Sequence, residues 1–349
     1  MTERLKIGII GCGEIATRTA QAIADARNAV IGMVMDLREA LARDLGTKYG
    51  VPYTSRLDKL LSSDIDAVYI ATPHDTHAPL AVKAARAGKH VLVEKPIATT
   101  IDDAHKMIEE CRRNGVKLSV CFIHRYNPII QEARRLVKAN AIGEVISIHT
   151  WTLIDKPEAY WRGGYTGRVK DDWRMHKDRA GGGILIMNIV HNVDYLRYIT
   201  GLEAVRIYSE YGTLATHAEV EDSIVVTIRY SNGALGSIVA HSCARGGIGP
   251  LNPGRDRILG VKGQIILSNP LLVYVTEKVR GYDLRVNTWN KVPLRKTNPR
   301  RRYVEETARA ILADEKPPIS GEDGLKALEI ILAAYKAGRL HKPISLPLG

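Results

Sequence analysis

The chain has 349 residues, 45% of them hydrophobic and 25% charged; the length suits two domains of roughly 100–200 residues, and the composition excludes disorder over most of the chain. Fifty basic against 38 acidic residues leave a net charge of +12, which by itself selects neither nucleic acid nor small anions as partners. No apolar run reaches the roughly 18 residues of a membrane span, and the opening Met-Thr-Glu-Arg-Leu-Lys lacks the apolar stretch of a signal peptide, so a cytoplasmic protein outside the membrane is expected.

The first third alternates strands and helices. Residues 6–10, 30–35, 66–71, 90–93 and 117–122 are apolar, β-branched runs. Between them, residues 14–26, 38–49, 57–61, 77–87 and 101–114 have helical spacing, several ending at glycine (Gly50, Gly88, Gly115). Such alternation predicts a doubly wound parallel sheet with helices on both faces. The pattern changes at Asn127-Pro128. One helix follows over 129–139, then longer strands at 144–153, 204–211, 223–229, 234–241, 257–260 and 264–269, with turn signals such as Ser231-Asn232-Gly233. This predicts an α/β second domain with a large, mostly antiparallel open sheet. Helices are expected at 184–200, 303–314 and 321–338. The domain boundary falls after residue 123, giving 1–123 and 124–349.

Gly11-Cys12-Gly13-Glu14-Ile15-Ala16 joins the first strand to the first helix as G-x-G-x-x-A. The first glycine permits the tight turn, the second lets backbone approach a pyrophosphate, and the small third residue allows close packing of helix and strand. The helix N-terminus then faces the phosphates. Asp36, 25 residues after Gly11, ends the second strand. Its carboxylate suits the ribose hydroxyls of NAD and repels the 2′-phosphate of NADP, although Arg38, past Leu37, offers an offset. NAD is therefore expected over NADP.

Two further segments, Ala71-Thr72-Pro73-His74-x-x-His77 and Gly88-Lys89-His90-Val91-Leu92-Val93-Glu94-Lys95-Pro96, resemble the glucose–fructose oxidoreductase / inositol dehydrogenase / rhizopine catabolism (Gfo/Idh/MocA) family, of which Glu-Lys-Pro is the hallmark. Gly181-Gly182-Gly183 leading to His191 and Asp194, and Ser320-Gly321-Glu322-Asp323-Gly324 before the last helix, resemble it too. The resemblance covers nearly the whole chain. It implies an N-terminal Rossmann domain and a C-terminal substrate-binding and oligomerisation domain. It also implies a homodimer or homotetramer joined through the C-terminal sheet, and NAD(P)-dependent oxidation of a secondary alcohol on a sugar, cyclitol or related polyol, or the reverse.

Hydride transfer from an alcohol carbon requires a group to take the hydroxyl proton and nearby positive charge to stabilise the developing alkoxide. Lys95, at the carboxyl end of its strand, and His191, on the helix after the triple glycine, are the catalytic candidates. The resemblance implies a catalytic or substrate-orienting role for Lys95 and the general base for His191. It also implies cofactor contacts from Ala71, Thr72, Pro73, His74, His77 and Glu94, and substrate contacts from Arg125, Tyr126, Trp173 and Arg174; Trp161, in the aromatic segment 160–165, is a further substrate candidate because aromatic faces suit sugar rings. Many relatives carry Asp four residues before the histidine. Here Met187 stands there, followed by Asn188, a candidate for bonding a substrate hydroxyl, and Ile189 replaces a common glycine. No H-E-x-x-H appears, the eleven histidines are scattered, and Cys12, Cys111, Cys121 and Cys243 form no C-x-x-C pair, so neither a metal nor a disulfide scaffold is expected.

The rival readings are a glycoside-cleaving enzyme that oxidises, eliminates, hydrates and reduces with no net NADH, and a non-catalytic cofactor sensor. The basic cluster Arg295, Lys296, Arg300, Arg301 and Arg302 reads as a solvated loop, with phosphate or anionic-substrate contacts as other uses; nucleic-acid binding is the remotest reading.

Overall fold

The short apolar runs of the first third assemble into a six-stranded parallel sheet: β1 (Leu5–Ile10), β2 (Ala29–Met35), β3 (Tyr53–Thr54), β4 (Ala67–Ile70), β5 (His90–Val93) and β6 (Leu118–Val120), in the order β3-β2-β1-β4-β5-β6. The computed structural model describes residues 3–247 and 256–348. Ile7, Ile9, Val34, Val68, Ile70, Val91 and Val93 are fully buried, as expected of strands covered on both faces. The covering helices are α1 (Glu14–Ala24), α2 (Glu39–Tyr49), α3 (Leu57–Leu61), α4 (His77–Arg86) and α5 (Ile101–Arg113). The strand order reverses between β1 and β4, so the loops leaving their carboxyl ends flank the crevice where open α/β sheets take ligands.

The chain divides into two compact units, and the division is not a single cut. The first unit holds the chain to Ile123 together with Glu158–Gly181 and Asn298–Leu328; the second holds His124–Pro157, Gly182–Thr297 and Glu329–Gly349. Specific contacts hold the later segments on the first unit. Helix α10 (Pro299–Leu312) packs on α1. Asn28 Nδ2 donates to Glu305 O at 2.9 Å, and Ser119 Oγ donates to Ile319 O at 2.8 Å. Composition gives no sign of these returns.

In the second unit, α6 (Pro128–Lys138) precedes a nine-stranded sheet of β7 (Val145–Leu153), β8 (Ala204–Gly212), β9 (Ser223–Tyr230), β10 (Leu235–His241), β11 (Asp256–Gly260), β12 (Gly263–Ile266), β13 (Leu271–Val275), β14 (Trp289–Val292) and β15 (Ile344–Ser345). Its order is β14-β13-β12-β11-β7-β10-β9-β8-β15, antiparallel throughout except for β7 beside β10. Strands β13, β14 and β15 were not foreseen. One face buries Ile148, Ile224, Val226, Ile228, Ile238 and Ile258. The alternate residues leave Trp151, Val225 and Leu235 about half exposed on the other, as is Ile146 where the register of β7 against β11 shifts.

The helix expected over 184–200 begins differently. Leu185–Ile189 is a π turn, and the regular helix α9 runs only over Val190–Thr200. Glu221 is the cause. Its buried carboxylate accepts Gly183 N–H at 2.6 Å, Leu185 N–H at 2.9 Å and the Tyr335 hydroxyl at 2.8 Å, while its carbonyl accepts Ile184 N–H at 3.1 Å. A Cβ on Gly183 would stand 1.8 Å from Glu221 O. The wide turn and the glycine both follow from drawing the chain against this carboxylate. Gly183→Ala is therefore expected to destabilise the fold by about 3 kcal/mol, the upper end of overpacking costs, as read from the midpoint of urea unfolding.

Candidate active site

On the first unit, the turn after β1 has the shape its sequence predicts. Gly11 has φ +88°, and a Cβ there would lie 2.8 Å from Ala71 O, at the neighbouring crevice loop. Gly13 precedes α1 and no side chain caps its amides, which leaves that N-terminus open to an anion. Ala16 is buried, allowing the close approach of α1 to the sheet. Asp36 Oδ2 accepts Cys12 N–H at 2.8 Å and Oδ1 accepts Arg38 N–H at 2.8 Å, so the carboxylate is fixed beside the glycine turn. The Arg38 guanidinium donates to Asp171 at 3.3 Å, and Leu37 is 83% exposed. These residues fit a dinucleotide: two glycines, an uncapped helix end and an acidic group at the ribose position.

Residues 158–181 fold back over this turn. Arg168 Nε donates to Cys12 O at 2.9 Å; Glu14 Oε2 accepts the amides of Tyr165 and Thr166 at 3.0 and 3.3 Å. Here α7 (Glu158–Gly163) and α8 (Lys177–Ala180) are short helices the sequence did not announce. Trp161 is buried, whereas Tyr165 is 56% exposed. The Arg174 guanidinium lies 4.6 Å from the Trp173 ring and 5.3 Å from the Tyr160 ring.

Trp173 meets His74 edge-on at 4.6 Å, and His74 Nδ1 lies 2.8 Å from Ala180 O. Burial, then His77, holds His74 well below the usual imidazole range. His77 Nδ1 lies 2.8 Å from Pro96 O and its Nε2 3.1 Å from Thr72 O, which ties the loop after β4 to the residue following Lys95.

Lys95 leaves the carboxyl end of β5, and the Lys95–Pro96 peptide is cis. Glu94 is 5% exposed. It accepts the Tyr69 hydroxyl at 2.6 Å and an Arg300 N–H at 3.2 Å on one oxygen, and Lys95 N–H at 3.3 Å on the other. Burial opposes its charge, but Arg300, Lys95 and Tyr69 hold Glu94 below the usual carboxylate range. Burial also holds Lys95 below the usual lysine range; Arg300 and Arg174 push the same way, against Glu94 and Cys121. The basic cluster read as a solvated loop is corrected in part. Arg295 and Lys296 are exposed, but Pro299 opens α10 and the Arg300 side chain is only 15% exposed.

On the second unit, His191 lies in the first turn of α9, its ring 4.5 Å from that of His124 and perpendicular to it. One turn on, the Tyr195 hydroxyl donates to Asp256, which Asn192 also reaches at 3.2 Å. Asp194 and Arg125 form a buried bidentate pair, Nε–Oδ2 2.9 Å and Nη2–Oδ1 2.6 Å. That pair anchors α9, and the guanidinium also stacks over Tyr198 at 5.0 Å. Tyr126 is buried beside it. Met187 is buried in the π turn. Asn188 accepts from buried Lys156 Nζ at 2.8 Å. Neither Lys156, His124 nor Asp256 carried a sequence signal; each acts on a neighbour distant in the chain.

Residues 5–122 match the model of an oxidoreductase family with an NAD-binding Rossmann fold, and residues 130–266 match a GFO/IDH/MocA C-terminal domain. The myo-inositol 2-dehydrogenase of Thermotoga maritima is 28% identical, covering 98% of each chain. The scyllo-inositol 2-dehydrogenase (NAD(+)) of Bacillus subtilis is 25% identical, over 99% of this chain and 97% of that one. The crystal structure of the Bordetella pertussis WlbA dehydrogenase in complex with NADH and UDP-GlcNAcA superposes with a TM-score of 0.83 at 26% identity, covering 99% of this chain and 100% of that chain. The glycine turn, the Glu94-Lys95-Pro96 strand end and both matched domains establish that the chain belongs to the GFO/IDH/MocA family of NAD(P)-dependent oxidoreductases.

Proposed function

We propose that the protein is an NAD-dependent dehydrogenase that moves a hydride between nicotinamide and a secondary alcohol carbon of a sugar, cyclitol or related polyol. Lys95 and His191 handle the hydroxyl proton. The observation that carries the reading is Lys95 itself, at the carboxyl edge of the sheet that bears the glycine turn, with a charge its surroundings disfavour. A buried lysine whose charge is disfavoured gives up its proton more readily than a free one, while its ammonium form stabilises a developing alkoxide. The inositol substrates named for two relatives support the substrate class.

The bound nicotinamide would accept the hydride. The chain's part is to hold and discharge the substrate. In the oxidative direction the carbon loses a hydride, the hydroxyl proton passes to Lys95 or His191, and the product is a ketone. Gly11, Gly13 and the first turn of α1 would hold the pyrophosphate, and Asp36 the adenosine ribose. Ala71, Thr72, Pro73 and His74 belong to the facing loop and complete the cofactor side. Arg174, Trp173, Tyr126 and Asn188 are assigned to the substrate side. Arg38 is held by Asp171, which supports NAD over NADP. The exposed face of the nine-stranded sheet supports a homodimer or homotetramer, because Trp151 and Val225 both flank Val239 and form an apolar strip. Four free cysteines fit a cytoplasmic setting.

Three measurements test this. NADH formation is followed by absorbance against cyclitols, aldoses, sugar acids and anhydrosugars. Lys95→Met and His191→Ala should each lower kcat about 10²–10⁴-fold, with the KM for NAD little changed. Full activity in Lys95→Met would sink the proposal, and product formed without net NADH would replace it with the glycoside-cleaving cycle. Asp36→Ala should cut the preference for NAD over NADP about tenfold or more, as the ratio of the two kcat/KM values. Trp151→Asp should convert an oligomer to monomer in light scattering; an unchanged mass would place the interface elsewhere.

A further inference from the structure

Arg300 has no place in the cofactor or proton machinery just described, yet it is drawn into the centre of the first unit. One of its terminal nitrogens donates to Thr19 Oγ1 at 2.6 Å and to Glu94 Oε1 at 3.2 Å. Thr19 donates to the Tyr69 hydroxyl at 2.8 Å, and Tyr69 donates to the same Glu94 oxygen at 2.6 Å. The four side chains close a ring. Thr19 and Tyr69 are fully buried, and Glu94 nearly so.

A carboxylate buried beside a lysine ordinarily pairs with it. That pairing holds the lysine protonated and turns its ammonium away from other work. Arginine is the residue that prevents this, because it stays charged at any working pH and carries several donors in one plane. In this ring Glu94 gives one oxygen to Arg300 and Tyr69 and spends the other on the Lys95 backbone amide.

We propose that Arg300 is a positioning residue for Lys95: by occupying the Glu94 carboxylate from α10, it keeps Glu94 from pairing with the lysine ammonium and leaves Lys95 able to exchange a proton. The inference rests on the reading of Lys95 as a proton carrier, but its physical content is a property of the lysine alone. The charged and titratable groups that act on Lys95 include Glu94, Arg300, Cys121 and Arg174. Arg300 and Arg174 favour the neutral lysine, and Glu94 and Cys121 favour the charged one.

The test reads Lys95 without a substrate. Side-chain NMR of the isotopically labelled full-length protein, titrated with pH, follows the Lys95 signal, assigned by its loss in Lys95→Met. In Arg300→Met the midpoint should rise by about one pH unit or more, since repulsion is removed and Glu94 is released toward the lysine. In Arg300→Lys, which restores a positive charge, it should return at least halfway to the wild-type value. Coincident midpoints in wild type and Arg300→Met overturn the proposal, as does an equal rise in Arg300→Lys and Arg300→Met. Should Arg300→Met fail to fold, Glu94→Gln decides: the Lys95 midpoint should fall, and an unmoved midpoint means that Glu94 does not govern the lysine. Kinetics add a second arm once a substrate is found. The pH limb of kcat should move upward in Arg300→Met with the NMR midpoint. If the midpoint moves while Lys95→Met keeps full activity, the dehydrogenase assignment fails and the coupling stands.

Discussion

A buried carboxylate must be matched where it lies, since its charge costs several kcal/mol to remove from water. In the first unit that constraint falls on Glu94, and its solution recruits β4 through Tyr69, α1 through Thr19, and α10 through Arg300. Three elements far apart in the chain converge on one ring of hydrogen bonds, two of them reaching the same carboxylate oxygen. Lys95 is the next residue, so whatever fixes Glu94 also fixes the backbone from which the lysine extends. The parallel sheet supplies the edge, and the ion pair sets the register of side chains along it.

The second unit meets the same constraint with Glu221. Here the donors are backbone amides and a tyrosine hydroxyl instead of an arginine. Amides are fixed in direction, so the backbone must come to the carboxylate. The result is the glycine turn and the π turn that opens toward α9 and His191. Burial raises the pKa of Glu221, against the pull of these donors, while Glu94 with its arginine is held low. Two buried acids thus differ in charge preference according to whether a full positive charge or only dipoles face them.

The elements were largely legible because they are local. Strand β5 and helix α3 have the bounds their residues suggest, and the glycine turn with Asp36 is a short-range pattern. Two-residue strands such as β3 and β15 offer too little periodicity to notice. Strand β13 follows the turn signal Asn269-Pro270, but its five residues are too short a run to fix a strand by periodicity. The harder losses are partnerships. Arg125 is legible as a cation at a hinge, but nothing near it announces Asp194, 69 residues away. Arg300 sits in a basic run whose simplest reading is solvent, and only its fold partners distinguish it from Arg295. The return of residues 158–181 to the first unit depends on Arg168, Glu14 and Asp171, charged residues no different in sequence from those that stay hydrated.

The interleaving of the units has a consequence for synthesis. Arg300 follows Glu94 by 206 residues, so during translation the Glu94–Lys95 strand end leaves the ribosome long before its counter-ion exists. At about 5–20 residues per second, the delay is roughly 10–40 s. Until then β5 can join the sheet only with its acid hydrated or protonated, and the N-terminal part of the chain has to wait in an unfinished state. The N-terminal segment alone therefore does not complete the first unit. Helix α10 brings the arginine that closes the ring around Glu94.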